Sequence, residues 1–284
     1  MDYLKKIVTD NYAAGISAIV NAIRETLGDG LCNGKFTSGA RWSLSDDYVL
    51  TISGIGSMDD YSSLKDVPWN SYMQNIKTIV INNGITNIGS RAFAHSCIKT
   101  IIIPDSISVI NSYAFYYSTI EHIIIPNSVK KIETYAFAGC NKLENIIISD
   151  GVIKIGNSAF ESCRNLKSIK LPNSVTSIGE RAFSKCKNLK TIKLSDNIHK
   201  IPKKSFRYCV NLKDVTIPDN VQKLDSYAFT NCKNLKKITI PKNVTSVHPY
   251  TFSWCLNLVE VIAPKTLQDH LKIMDAENCN IYWY

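Results

Sequence analysis

From Ile76 to Asn257 the chain repeats one pattern eight times; the clearest pair is LKSIKLPNSVTSIGERAFSKCKN (166–188) followed by LKTIKLSDNIHKIPKKSFRYCVN (189–211). Units begin at Ile76, Ile98, Ile120, Leu143, Leu166, Leu189, Leu212 and Leu235; the first two have 22 residues and the other six have 23. A fixed period of this length means one supersecondary turn per unit, too small to bury its own apolar residues and therefore obliged to stack on its neighbours. A one-residue deletion in such an array shortens a loop and leaves the stack intact. The expected product is a solenoid, an architecture that binds more often than it catalyses.

Within each unit the apolar positions recur: Leu166, Ile169 and Leu171, then Val175 and Ile178, then Ala182, Phe183 and Cys186. The first three follow L-x-x-L-x-L, which places the first, fourth and sixth side chains in the core and the third and fifth outside. Pro104, Pro126, Pro172, Pro218 and Pro241 follow directly, and a residue without an N–H ends a central strand. A short extended segment and then a helical turn carrying Phe inward complete the unit. Parallel strands about 4.8 Å apart make eight units a rod roughly 40 Å long. Asn165, Asn188, Asn211, Asn234 and Asn257 form a second column before each strand, where an amide can satisfy backbone groups left unpaired by a turn.

The pattern I-P-N/D-S-V-x-x-I-x-x-x-A-F-x-x-C-x-N-L resembles the BspA-like leucine-rich repeats found in bacterial surface proteins and in some parasitic protists. The resemblance extends to residues 41–69, with Trp42, Leu50, Ile52, Gly54, Gly56, Met58, Tyr61, Pro68 and Trp69 matching the segment that precedes these repeats. It implies an α/β repeat solenoid, a right-handed leucine-rich-repeat superhelix with a parallel sheet, capped by an N-terminal helix plus β-hairpin and by a C-terminal cap. A surface location and an adhesin-like role follow from the resemblance. Leu44, Leu50 and Ile52 supply an apolar face to cover the first repeat. Tyr48 stands where the family usually has Gly, so a turn without positive φ is expected there.

The chain divides into residues 1–30, an N-terminal helix; 31–75, the hairpin cap; 76–257, the eight repeats; and 258–284, a C-terminal cap with a last strand, a helix over 265–276 and closing aromatics. Leu4, Val8, Ile16, Ile19, Val20, Ile23 and Leu27 recur at helical spacing, and Gly28 and Gly30 end that segment. This helix either docks on the solenoid or makes residues 2–27 a homo-oligomerisation element, which would suit a structural, particle-associated component. No apolar run is long enough to span a bilayer, and the first residues lack a signal-peptide pattern, so surface display would need another export route.

Six of the nine cysteines, Cys140, Cys163, Cys186, Cys209, Cys232 and Cys255, share one repeat position, with Ser96 and Ser118 in their place earlier. Buried free thiols acting as small hydrophobes are expected. No metal-ligand spacing, phosphate loop or catalytic constellation is present, so the expectation is no cofactor, no metal and no enzyme activity.

Function should therefore lie at the outward strand positions. These run Thr78 and Val80, Thr100 and Ile102, His122 and Ile124, Asn145 and Ile147, then Ser168 and Lys170, Thr191 and Lys193. The candidate ligand-binding set is Val80, Ile102, His122, Ile124, Asn145, Ile147, Ser168, Lys170, Thr191 and Lys193. An outward apolar column points to a partner. Residues 166–243 carry 17 Lys and Arg against 5 Asp and Glu, while the whole chain has a net charge of +9. A basic end of this strength attracts an extracellular or cell-surface protein or an anionic glycan; nucleic acid ranks below both because no aromatics interleave with these lysines on the sheet.

Overall fold

A computed structural model describes residues 31–271 and 279–284. The N-terminal helix expected over residues 2–27 and residues 272–276 of the expected closing helix lie outside this set. Within it the chain winds as a parallel-sheet solenoid whose turns follow the sequence period.

Three strands open the fold: β1 (Cys32–Lys35), β2 (Arg41–Leu44) and β3 (Val49–Ser53). They pair antiparallel, and β3 then pairs in parallel with β4 (Thr78–Ile81), so the hairpin hands its register to the first repeat. Strand alternation does the rest: Ile79 and Ile81 are buried while Thr78 and Val80 are half-exposed. Leu44, Leu50 and Ile52 are fully buried beneath this junction. Asn87 clamps it by accepting the Met58 N–H at 2.7 Å and donating to the Met58 carbonyl at 3.1 Å.

The turn joining β2 to β3 departs from expectation, because Tyr48 has φ 60°. Its N–H donates to the Ser45 carbonyl at 2.9 Å, and the Ser45 N–H donates to the Val49 carbonyl at 3.1 Å. This is a three-residue hairpin loop whose last residue must be left-handed. Strand pairing on both sides over-determines that geometry, so Tyr bears a cost that Gly would avoid.

Strands of the L-x-x-L-x-L segment continue the first face at His122–Ile125, Asn145–Ile148, Ser168–Lys170, Thr191–Lys193, Asp214–Val215, Lys237–Thr239 and Glu260–Ala263. A second face consists of two-residue strands, from Asn87–Ile88 through Lys154–Ile155 to Ser246–Val247, paired parallel from repeat to repeat except between Ser177–Ile178 and Lys200–Ile201.

The third face differs from expectation. In place of a helical turn, each A-F segment is a chain of overlapping β-turns. Alternate amides bond within the repeat and across to the next: Ala114 N–H reaches the Asn111 carbonyl at 3.2 Å, whereas Phe115 N–H reaches Ala136 of the following unit at 2.8 Å. Cross-repeat bonding satisfies amides that one isolated helical turn would leave unpaired. Helix among the described residues is confined to 3₁₀ turns at Leu64–Asp66, Asn70–Tyr72 and Lys265–Leu267 and one α turn at Gln268–Leu271.

The interior is a column of parallel rings. Phe137, Phe160, Phe183 and Phe206 stack at 5.4, 5.5 and 5.6 Å with interplanar angles of 5° or less. Trp69 extends the column into the cap, stacking on Phe93 at 6.2 Å while its Nε1–H donates to the Ala92 carbonyl at 2.9 Å. Beside the rings runs a column of buried free thiols. Each donates to the carbonyl of the preceding repeat's Phe, as Cys186 does to Phe160 at 3.1 Å and Cys209 to Phe183 at 3.1 Å. The asparagine column works differently from expectation, since its amides bond one another: Asn211 Nδ2 donates to Asn188 Oδ1 at 3.3 Å and Asn234 Nδ2 to Asn211 Oδ1 at 3.0 Å.

At the far end a strand absent from the sequence reading, Asn280–Trp283, pairs in parallel with Glu260–Ala263. Ile281 and Trp283 pack on the core while Tyr282 and Tyr284 face outward.

Candidate functional site

The sheet face places the outward side chains in register. His122 lies opposite Asn145 and Ile124 opposite Ile147; Ser168 lies opposite Thr191 and Lys170 opposite Lys193. Neighbouring members of these pairs therefore stand about 4.8 Å apart along the solenoid axis. His122 Nδ1 and Asn145 Nδ2 are 3.2 Å apart, a side-chain hydrogen bond on the open surface.

The first two members of the apolar column are less well joined. Val80 pairs with Thr51 of the cap, while the segment carrying Ile102 has only an isolated bridge, Thr100 to His122. Ile102 is correspondingly the most open of the four at 40% exposure. The structure therefore brings Ile124 and Ile147 together as one patch and leaves Val80 and Ile102 as separate flanks.

Beyond Ile147 the fifth strand position becomes cationic. Lys170 and Lys193 border a shallow hollow of about 180 Å³, completed by Asp150, Leu171, Pro172 and Asn173. Among the described residues no carboxylate lies within 4.0 Å of either ammonium.

A second charged column, not singled out in the sequence reading, runs along the corner where the chain enters each strand. In the first half it reads Lys77, Lys99, Glu121 and Glu144, and opposite signs meet: Lys99 pairs with Glu121 at 3.6 Å, and Glu144 with Lys167 of the fifth unit at 2.9 Å. Hydrogen bonding continues the column, Lys190 N–H to the Lys167 carbonyl at 2.8 Å and Lys213 N–H to Lys190 at 3.0 Å, and Lys236 occupies the same position of the next unit. Lys190, Lys213 and Lys236 have no carboxylate within 4.0 Å among the described residues. The sequence signal was available: the second residue of each repeat is Lys in all four units from 166 onward.

The face can thus supply apolar contact at one end and ammonium groups at the other. Among the described residues no group of His, Cys, Asp and Glu is arranged to hold a metal ion, and no helix is long and apolar enough to cross a membrane.

Comparison with known proteins agrees with this architecture. The family model for the BspA type leucine rich repeat region matches in six copies, over residues 65–190 and 153–272. The leucine-rich repeat protein of T. pallidum superposes with TM-score 0.53 at 22% identity, covering 84% of this chain and 94% of that one. A leucine-rich cell surface protein of Faecalibacterium prausnitzii matches at 20% identity and TM-score 0.48, covering 86% and 98%. A leucine-rich repeat protein of Eubacterium ventriosum matches at 21% and 0.45, covering 83% and 92%. No curated protein matches the chain.

Proposed function

We propose, since this chain belongs to the BspA-type leucine-rich-repeat family, that it is a non-enzymatic, adhesin-like binding protein whose sheet face recognises a cell-surface macromolecule. Proteins of this type are commonly surface proteins involved in binding. The observation that carries the reading is the change of one outward column from Ile124 and Ile147 to Lys170 and Lys193 along one face, on two separately hydrogen-bonded sets of strands that follow each other in the stack. An interface gains affinity from desolvated apolar contact and gains on-rate and selectivity from complementary charge. Both are present side by side, and the apolar patch favours a protein over an acidic glycan as the occupant of this face.

The test is saturable binding of the purified protein to an array of extracellular-matrix proteins and sulfated glycans at low and high salt, beside Lys170→Glu/Lys193→Glu. Binding to a protein that weakens with salt and with the double substitution supports the reading. Binding indifferent to both this variant and Ile124→Ser/Ile147→Ser overturns it.

A further inference from the structure

The face built of stacked turns carries side chains that its backbone geometry disfavours. Among the described residues fifteen non-glycine residues have positive φ; apart from Tyr48, all occupy one of two repeat positions, just before the Ala-Phe pair or just before the Cys. Left-handed geometry costs an L-residue roughly 1–2 kcal/mol and is ordinarily met with Gly or Asn. Only Gly139 and Asn231 follow that rule in these two columns. In the later repeats the positions hold Arg181, Lys185, Lys204, Tyr208, Tyr227 and Trp254. Strain retained to display large polar side chains is an observation from which a functional inference can start.

These residues form a cationic cluster. Arg181 N–H donates to the Lys203 carbonyl at 3.0 Å, which places the cations of two successive repeats side by side. Arg181, Lys203, Lys204 and Arg207 have no carboxylate within 4.0 Å among the described residues, whereas Lys185 is held by Glu161 at 3.0 Å. Desolvation and the positive charges of Arg181, Lys203 and Arg207 draw Lys204 below the usual lysine range, with Glu180 as the opposing anion.

Interleaved aromatic rings decide what kind of ligand suits the cluster. The Arg207 guanidinium lies 4.6 Å over Tyr208, Lys204 Nζ lies 5.7 Å over Tyr227, and Tyr227 stacks on Tyr250 at 5.4 Å. Cations and a neighbouring ring already lie against Tyr208 and Tyr227, so these rings offer a ligand mainly edges and hydroxyls beside the N–H donors. Nucleobases need open ring faces on which to stack. A protein partner would seek a buried apolar centre, and here the exposed large apolar side chains, Tyr250, Trp254 and Leu256, all belong to the last repeat, at one end of the cluster. Oxygen-rich anionic groups on an extended polymer can meet the cations of two successive turns and the hydroxyl and N–H donors of the next two.

We propose that the turn face over residues 181–254 is a binding track for a sulfate- or carboxylate-bearing polysaccharide lying along the solenoid axis. It is separate from the sheet face and uses none of its side chains.

The experiment titrates the full chain with heparin, with desulfated heparin and with single-stranded oligodeoxythymidylate, at low and high salt. Arg181→Glu/Lys204→Glu is compared with Lys170→Glu/Lys193→Glu and with the charge-conserving Arg181→Lys/Lys204→Arg; thermal melts verify that each variant is folded. Saturable heparin binding that falls with salt, weakens about tenfold in the turn-face charge reversal, and survives the conservative pair is the expected result. The sheet-face variant should lose less than a third as much affinity. An equal or larger loss in the sheet-face variant, tighter binding of the oligonucleotide, or no binding of either form of heparin by the parent protein overturns the proposal. Because the protein-ligand assay of the sheet face is read separately, either result leaves that reading standing or falling on its own evidence.

Discussion

The first four repeats and the last four share one interior and differ outside it. Phe115 and Phe137 stack at 5.0 Å much as Phe206 and Phe229 stack at 5.2 Å, and the strands of both halves alternate buried and open residues alike. Outside, the first half presents Ile124 and Ile147 with charges paired along the neighbouring column, while the second presents Lys170, Lys190, Lys193 and Lys213 with no carboxylate within 4.0 Å among the described residues. Inward positions must match because each fills the space left by the unit before it; outward positions are free to diverge and so carry the recognition chemistry.

The sharpest way to break this comparison is through the shared interior. Phe137→Ala and Phe183→Ala should each destabilise by roughly 3–5 kcal/mol, from lost transfer energy plus the cavity left in the stack. Equal losses in chemical denaturation confirm one cooperative core spanning both halves; a loss confined to one half would show that the halves unfold separately.

Alkaline stability distinguishes the first two units from the rest, because the thiol column starts only at Cys140 and those units have Ser96 and Ser118 in its place. Burial pushes Cys140 and Cys186 up to about 12 from the ordinary 9.0. A thiol whose folded pKa lies above its unfolded value contributes stability that is complete below pH 9 and is lost as pH rises through the folded value. Each such cysteine should add a slope of about 1.4 kcal/mol per pH unit between these limits. Cys186→Ser should remove one proton's worth of that slope and cost about 1 kcal/mol at neutral pH, as read from denaturant midpoints across a pH series. An unchanged slope would mean the thiol titrates alike in both states.

Binding sharpens the outer difference. Lys170→Glu/Lys193→Glu should weaken an acidic protein ligand about tenfold, chiefly by slowing association, and leave the melting temperature nearly unchanged. Ile124→Ser/Ile147→Ser should weaken the same ligand by a factor that does not vary with salt, as measured by surface-binding kinetics. Equal salt dependence for the two variants would erase the distinction between the halves.

The smallest effect tests the strained turns. Lys185→Gly places the favoured residue at φ 62° and should stabilise by about 0.5–1 kcal/mol in thermal unfolding, offset by the Glu161 contact it removes. A clear loss of stability would show that the Lys side chain, rather than the backbone, holds that turn.

Much of this architecture is legible without coordinates, because period and burial share one cause. The positions typified by Leu166, Ile169, Leu171 and Phe183 recur since every unit must present the same apolar surface to the next, and they are buried as that demands. The same logic located the outward column, including the step from Ile147 to Lys170. It could not see the break at Ile102, where strand pairing lapses between Ile81 and His122 although the residue pattern continues. It also misread the A-F segment as helical and the Tyr48 turn as right-handed, because both depend on where amides find partners in another repeat or strand.

What the amino-acid order determined by itself is therefore the stack: its period, its parallel strands, its ring and thiol columns, and the charge asymmetry between its ends. Spacing sets all of these, since each is a contact between equivalent positions of neighbouring units. Only the tertiary structure decided how the third face is built, with alternate amides bonded across repeats and left-handed residues bracketing each Ala-Phe. The energy that holds Arg181, Lys204 and Tyr208 in a geometry they disfavour comes from hydrogen bonds to the next unit, and no local propensity announces such bonds.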